Sequence, residues 1–276
     1  MIESEIFDGV QEITLESWKE FFPLSTDKFA FAPAYVYRGQ AKYDWALEST
    51  MDRHERQFPS RKHLGGTNSE FFTSRPLSPE EHLGAFKRAT RGRRGYNPPQ
   101  WSDDDYWALG QHHGLCTPLM DFTRSPYAAL FFAFEHEKIC VEDRMIVPEF
   151  RGIFALSTAT IGKPEHKPEK EEDWVRLISP DSDANFRLVS QGGLFAKLPR
   201  KTDLETYVRN AFKGDDKGAT FLKVKLPSTN EQRHECLVAL NKMNLNYMTL
   251  FPDIEGAAKH VNSIWQPGHE DSLRDI

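Results

Sequence analysis

The densest run of side chains able to do chemistry is Gln111-His112-His113-Gly114-Leu115-Cys116-Thr117-Pro118-Leu119-Met120-Asp121-Phe122-Thr123-Arg124-Ser125-Pro126. It lies between two predicted helices. Histidines 112 and 113 fall at the C-terminus of the first, where the helix dipole favours protonated imidazole, and one of the two is expected to point inward. Asp121 and Thr123 fall just before the second helix, whose first N–H groups favour an anion. Donors, a carboxylate and hydroxyls would together make a cleft wall. The plainer alternative gives Asp121 and Thr123 only turn hydrogen bonds. His112, His113 and Cys116 lack a fourth ligand at a convincing spacing, so no metal is expected.

Three further stretches carry polar groups beside glycine. Tyr37-Arg38-Gly39-Gln40 ends an apolar strand, which places a guanidinium fork for phosphate or carboxylate at the sheet edge; the alternative is a structural ion pair. In Arg187–Phe195, Gln191 reads an amide or base edge while Gly192 and Gly193 permit close backbone approach. In Leu250–Gly256, Asp253 and Glu255 sit in the first turn of a helix, either as cap and dipole complement or as the carboxylate that stabilises positive charge on a reacting sugar. Lys87–Arg94 is a basic run, either a solvated helix end or a grip for nucleic acid or a phosphorylated ligand.

The elements that must position these groups are legible from caps and periodicity. Ser78 with Glu81 opens a helix to about Gly92, Ser102 one ending at Gly114, and Ser125-Pro126 an almost wholly apolar one. Ser228 with Glu231 begins a helix to about Met243, and Pro252-Asp253 one through Trp265. Strands are expected at Val10–Leu15, Ala34–Arg38, Gly152–Ser157, Trp174–Ile178 and Thr220–Leu226. Residues 57–79 read as a long loop and 163–173 as a charged surface excursion. Helices and strands interleave without a βαβ rhythm, and no GxGxxG or GxxxxGK[ST] occurs. The expectation is α+β: one compact domain over 1–276, with a mixed or antiparallel small sheet, or sheets, surrounded by helices.

Composition narrows the function classes. Lys+Arg 35 against Asp+Glu 41 gives 35 − 41 = −6, which excludes a globally basic nucleic-acid coat while leaving the 87–94 patch open. The longest apolar run, Tyr127 to Phe134, is far shorter than the ~20 residues a membrane helix needs, so no membrane partner is expected. The acidic start MIESEIFDG lacks signal-peptide character, and three widely spaced cysteines define no disulfide framework, so the expected location is cytoplasmic.

Arg38-Gly39-Gln40, Trp45-Ala46-Leu47 and the Gln111–Ala133 block resemble the motifs of the FRG domain family, named for its Phe/Tyr-Arg-Gly element, here Tyr37-Arg38-Gly39. Gln191, Gly193 and Phe195 match a further element, and Phe251–Gly256 another; Pro118 departs from a position where the family commonly has a basic residue. The order of motifs also resembles, more distantly, that of ADP-ribosyltransferases. That likeness implies NAD as cofactor and a nucleotide-bearing substrate or macromolecular target, while the FRG resemblance implies a role as a toxin or anti-phage effector. On the ADP-ribosyltransferase likeness, Arg38 would hold a phosphate or ribose, Thr123 or Ser125 would support the nicotinamide side, and Glu255 or Asp253 would be the catalytic acid. With His113 and Asp121 of the polar stretch, Arg38, Thr123 and Glu255 make the expected catalytic set. Tyr37, Gly39, Gln40, Gln111, His112, Ser125, Gln191 and Asp253 would line the cofactor. No Glu-x-Glu or Gln-x-Glu lies on a late strand, a departure from that pattern. Two alternatives are a metal-independent nuclease or phosphodiesterase using His112 and His113, and a non-catalytic module that senses a nucleotide or partner.

Overall fold

A computed structural model describes residues 1–29, 35–57, 78–95, 100–163, 170, 173–180 and 186–264. Most of the expected 57–79 loop, residues 164–169 and 171–172 of the charged excursion, and Trp265 lie outside them. Ten strands follow in chain order: β1 (Ile2–Glu3), β2 (Val10–Thr14), β3 (Tyr35–Gln40), β4 (Leu119–Thr123), β5 (Ile139–Val141), β6 (Arg144–Ile146), β7 (Phe150–Ser157), β8 (Arg176–Ile178), β9 (Gly193–Lys197) and β10 (Phe221–Pro227). Eight of them form one sheet in the order β1-β2-β10-β7-β3-β4-β9-β8, and β5 and β6 pair separately. Among the described strands only β2 and β10 run parallel, so the sheet is mixed and the fold is α+β.

The helices are α1 (Phe21–Leu24), α2 (Thr50–Gln57), α3 (Pro79–Ala89), α4 (Asp103–His112), α5 (Pro126–Phe134), α6 (Thr158–Ile161), α7 (Phe186–Ser190), α8 (Leu204–Ala211), α9 (Asn230–Lys242), α10 (Tyr247–Leu250) and α11 (Ile254–Ile264). The capping boxes at Ser78/Glu81 and Ser102/Asp105 both form, and Ser125 caps α5 through the Ala128 N–H. At α9 the cap is Thr229, not Ser228: the Thr229 hydroxyl accepts from Gln232 N–H, while Ser228 is buried against Arg151.

β7 is the axis of the sheet, with seven of its eight residues buried. One core lies between the sheet and α5, which is apolar on every side because it is enclosed on every side. Tyr37, Ile153, Ala155, Leu222 and Val224 supply its sheet side. The alternate residues Val36, Phe154, Leu156 and Phe221 face a second core with α8, as the two-residue period of a strand requires. A third cluster ties α3 and α4 to Leu119 and Phe195.

Two features position the site. The ladder between β3 and β4 consists of a single residue pair, Tyr37 with Thr123. And β3 presses directly on α5: a Cβ on Gly39 would lie 1.8 Å from the Ala129 carbonyl oxygen. β3 is therefore an interior strand between β7 and β4, which corrects the expectation that Arg38 stands at a sheet edge. The Gln111–Pro126 stretch is likewise not a plain connection between helices, since β4 is formed from its middle and pairs with β9 over five residues.

Candidate functional site

Where the β3–β4 ladder stops, a side chain takes its place. Arg38 Nη1 donates to the main-chain carbonyl of Asp121 at 2.8 Å and stands 3.7 Å from the Asp121 carboxylate. The Arg38 side chain is one-fifth exposed, and Asp121 largely open to solvent. Burial lowers the Arg38 guanidinium below its ordinary range, Asp121 pulls it back up, and Arg53 pushes it down again. Gln111 Nε2 donates to Asp121 Oδ1 at 2.8 Å, and its carbonyl oxygen accepts from the Thr117 hydroxyl. Thr117 in turn exchanges hydrogen bonds with Thr50 on α2. Arg38, Asp121 and Gln111 are thus one network joining β3, β4 and α4.

A second network lies at the other end of β4. The buried Thr123 hydroxyl donates to the Gln191 carbonyl at 2.5 Å and accepts from Ser125 N–H at 3.0 Å. Gln191 Nε2 donates to the Leu250 carbonyl at 3.0 Å, which fastens the turn after α7 to α10. Nearby, Arg187 bridges both tail acids, with Nε on Asp253 and Nη2 on Glu255 at 2.6 Å, while its guanidinium lies over the Phe251 ring. The Arg187 guanidinium and the Gly256 N–H hold the Asp253 carboxyl down at about 2. Asp253 therefore contributes stability in full above the ordinary carboxylate range, and loses it as pH falls from about 4 toward about 2. Arg187→Ala is expected to return Asp253 toward its usual value of 3.8 and to flatten that acid limb, measured by NMR titration of the carboxyl carbon.

The two histidines differ from expectation. Both are exposed, their rings packed edge to face at 4.8 Å, so neither is an inward-pointing core residue. His112 is lowered rather than raised, by partial burial first and then by His113 and Arg187. Burial, which the helix position alone does not reveal, is the largest cause of the lowering. Among the described residues no group of three or more His, Cys, Asp and Glu is placed to hold a metal ion.

A hollow lies beside the second of these networks. A half-open groove of about 610 Å³ forms where β3 begins, where β4 ends and where α5 starts. Phe29, Tyr35, Tyr37 and Tyr127 give it aromatic walls, and Arg124 is its cationic group. Arg124 Nη1 donates to the Gly193 carbonyl at 3.2 Å, which uses one of five guanidinium N–H donors. Phe29 packs on both tyrosines of β3, at 5.6 Å from Tyr35 and 5.1 Å from Tyr37, and the Ser25 and Tyr127 hydroxyls share a hydrogen bond of 2.8 Å.

Of the residues singled out by sequence, Tyr37 lines this groove directly, and Thr123 and Ser125 flank the groove-lining Arg124. Gly39 packs on α5, and Gln40 Nε2 ties down the following turn through the Lys42 and Trp45 carbonyls. Asp253 and Glu255 belong to the Arg187 cluster, with His112 and His113 beside it. Arg124, Phe29 and Tyr127 were not picked out; the signal for Arg124 was its place just before the Ser125 cap, at the mouth of a helix N-terminus. The Lys87–Arg94 run is partly spent on packing: Arg94 lies over Trp101 and Tyr106, and Lys87 pairs with Asp103.

Residues 33–140 match the family model of the FRG domain, and the chain carries that domain. The match takes in Arg38, the Gln111–Thr123 network and all of α5, and ends before Gln191 and the tail acids. No curated protein and no solved structure matches the chain. Among the described residues no helix is long and apolar enough to cross a membrane.

Proposed function

We propose that this protein binds a nucleotide of the NAD class in the groove between β3 and α5. The observation that carries the reading is the lining itself: aromatic rings of Phe29, Tyr35, Tyr37 and Tyr127 around a volume of about 610 Å³, with one guanidinium at its edge. Aromatic walls stack a base or a nicotinamide ring, and an arginine fork holds a phosphate in two-point contact. The N-terminus of α5 stands at the same edge through Pro126 and Tyr127, so its dipole adds to Arg124 in favouring an anion. Burial keeps the Tyr37 hydroxyl protonated and able to donate, whereas the Tyr35 hydroxyl already donates to the Ala219 carbonyl at 3.1 Å.

Cleaving the nicotinamide–ribose bond develops oxocarbenium character that a nearby carboxylate stabilises. Among the described residues that line the groove there is no carboxylate. The tail acids are held by Arg187, and Asp121 lies with Arg38. The described lining supports a nucleotide-sensing role over an ADP-ribosyltransferase. Titration with NAD, ADP-ribose and AMP, followed by thermal unfolding, is expected to raise Tm with ligand concentration. Arg124→Ala is expected to weaken the apparent affinity at least about tenfold, the loss of one charge-assisted phosphate contact. Absence of any Tm rise with all three nucleotides overturns the proposal. Release of nicotinamide from NAD in the same samples overturns the binding-only form of it.

A further inference from the structure

A second cleft, of about 330 Å³, opens between the C-terminal end of α5 and helices α9 and α11, away from the groove. It is lined by Glu135, whose side chain is only 10% exposed. The Tyr247 hydroxyl donates to that carboxylate. Arg233 lies in the same cleft, but its hydrogen bonds go to main chain: Nε donates to the Phe134 carbonyl at 2.9 Å and Nη2 to the Glu135 carbonyl at 2.7 Å. Those bonds cap the end of α5 and do not engage the Glu135 side chain. The exposed His136 Nε2 stands 3.8 Å from Glu135 Oε2, beyond hydrogen-bond reach, and the carboxylate lines the cleft.

The remaining lining fits a ligand without net charge. His260 is 9% exposed, and burial keeps its imidazole neutral, so it offers one donor and one acceptor. Asn262 stands exposed on the rim, while Asn246 is occupied by Asn241 and by the cap of α10. Phe131 and Tyr247, edge to face at 5.1 Å, form an apolar wall. The charged lining groups nearly cancel, Glu135 and Glu137 against Lys138, Arg233 and Lys259, with Lys259 already paired to Glu255 at 3.0 Å.

We propose that this cleft binds a small uncharged polyol, a pentose or hexose ring. Glu135 accepts from two neighbouring hydroxyls, His260 and Asn262 complete the set, and the ring lies on the Phe131–Tyr247 wall. Adjacent hydroxyls present two donors at the spacing of the two carboxylate oxygens, and a flat sugar face packs on an aromatic surface. The site is independent of the nucleotide groove and stands or falls separately from it.

The test is NMR titration of the full chain with D-ribose, D-glucose and myo-inositol. Saturable amide shifts confined to residues 131–138 and 233–263 are expected for at least one of them. Glu135→Gln is expected to weaken that binding tenfold or more, and Asn262→Ala, a rim change that leaves the fold alone, several-fold. Arg124→Ala, in the other cavity, is expected to leave it unchanged. Three results overturn the proposal: no saturable shift with any probe; binding that survives both Asn262→Ala and Glu135→Gln; or binding of ribose 5-phosphate without ribose, which marks the cleft as an anion site.

Discussion

Gly39→Ala is expected to leave little folded protein. The methyl group would be placed 1.8 Å from the Ala129 carbonyl oxygen and 2.7 Å from the Ala133 nitrogen, both main-chain atoms of α5. A crowded side chain can rotate aside, but a helix backbone must move as a body. Ala129 and Ala133 are wholly buried, so α5 has no room to retreat. Ordinary overpacking of a core destabilises by roughly 1–3 kcal/mol, and a clash between two backbones lies above that range, at about 4 kcal/mol. The measurement is the urea midpoint, with yield of soluble protein as a second readout. Gly84→Ala is the control: it sits inside α3 with only the tip of Arg88 nearby, and is expected to stabilise by up to about 1 kcal/mol. A Gly39→Ala protein with the parental midpoint would show that α5 does not bear on β3 as described. The glycine of the Tyr-Arg-Gly motif is on this account a packing residue, and its arginine a main-chain tether.

Arg151→Met is expected to destabilise by about 3 kcal/mol or more. Arg151 has no exposed surface, donates Nη1 to the Ala133 carbonyl at 2.6 Å and Nη2 toward the Glu137 carbonyl, and gives Nε to the Ser228 hydroxyl. Burial first, and then the neighbouring Arg233, pull its guanidinium down to about 10, so it remains charged at neutral pH. Two guanidiniums therefore share the C-terminal end of α5, Arg151 on Ala133 and Arg233 on Phe134 and Glu135. Carbonyls that a helix leaves unbonded at its end carry its negative pole, and a cation there is stabilised by it. Methionine fills the volume but leaves the Ala133 carbonyl and the Ser228 hydroxyl buried without their donor, and each such loss is about 1–3 kcal/mol. Ser228→Ala removes one acceptor and is expected to do less, about 1 kcal/mol. Chemical denaturation of the three proteins side by side decides it; an Arg151→Met midpoint within error of the parent would refute the role.

What was legible in the sequence follows the range of the forces involved. Caps are local, so Ser78, Ser102 and Ser125 declare their helices within four residues, and the alternation of Phe221–Leu226 declares a strand. β4 was hidden because Leu119–Thr123 holds an aspartate and a threonine in a polar stretch; it is a strand by virtue of its five pairs with β9, some seventy residues away. Arg38, Gln111 and Asp121 were read as parts of one larger site with His113, Thr123 and Glu255; the bond from Arg38 to a main-chain carbonyl had no local signal. The groove was beyond reach, since only the tertiary fold brings Phe29 and the start of β3 to Arg124 and Tyr127. His112 shows the same limit, with partial burial first, and then His113 and Arg187, lowering a group its helix position was expected to raise.

A sheet joined at one rung is, mechanically, two plates on a common pivot. β1, β2, β10, β7 and β3 form one plate, and β4, β9 and β8 the other. The groove straddles that pivot, with Tyr35 and Tyr37 on the first plate and Leu194 on the second. On the proposed binding, a guest wedged there would act as a splint between the two plates, and its residence time would track their stiffness.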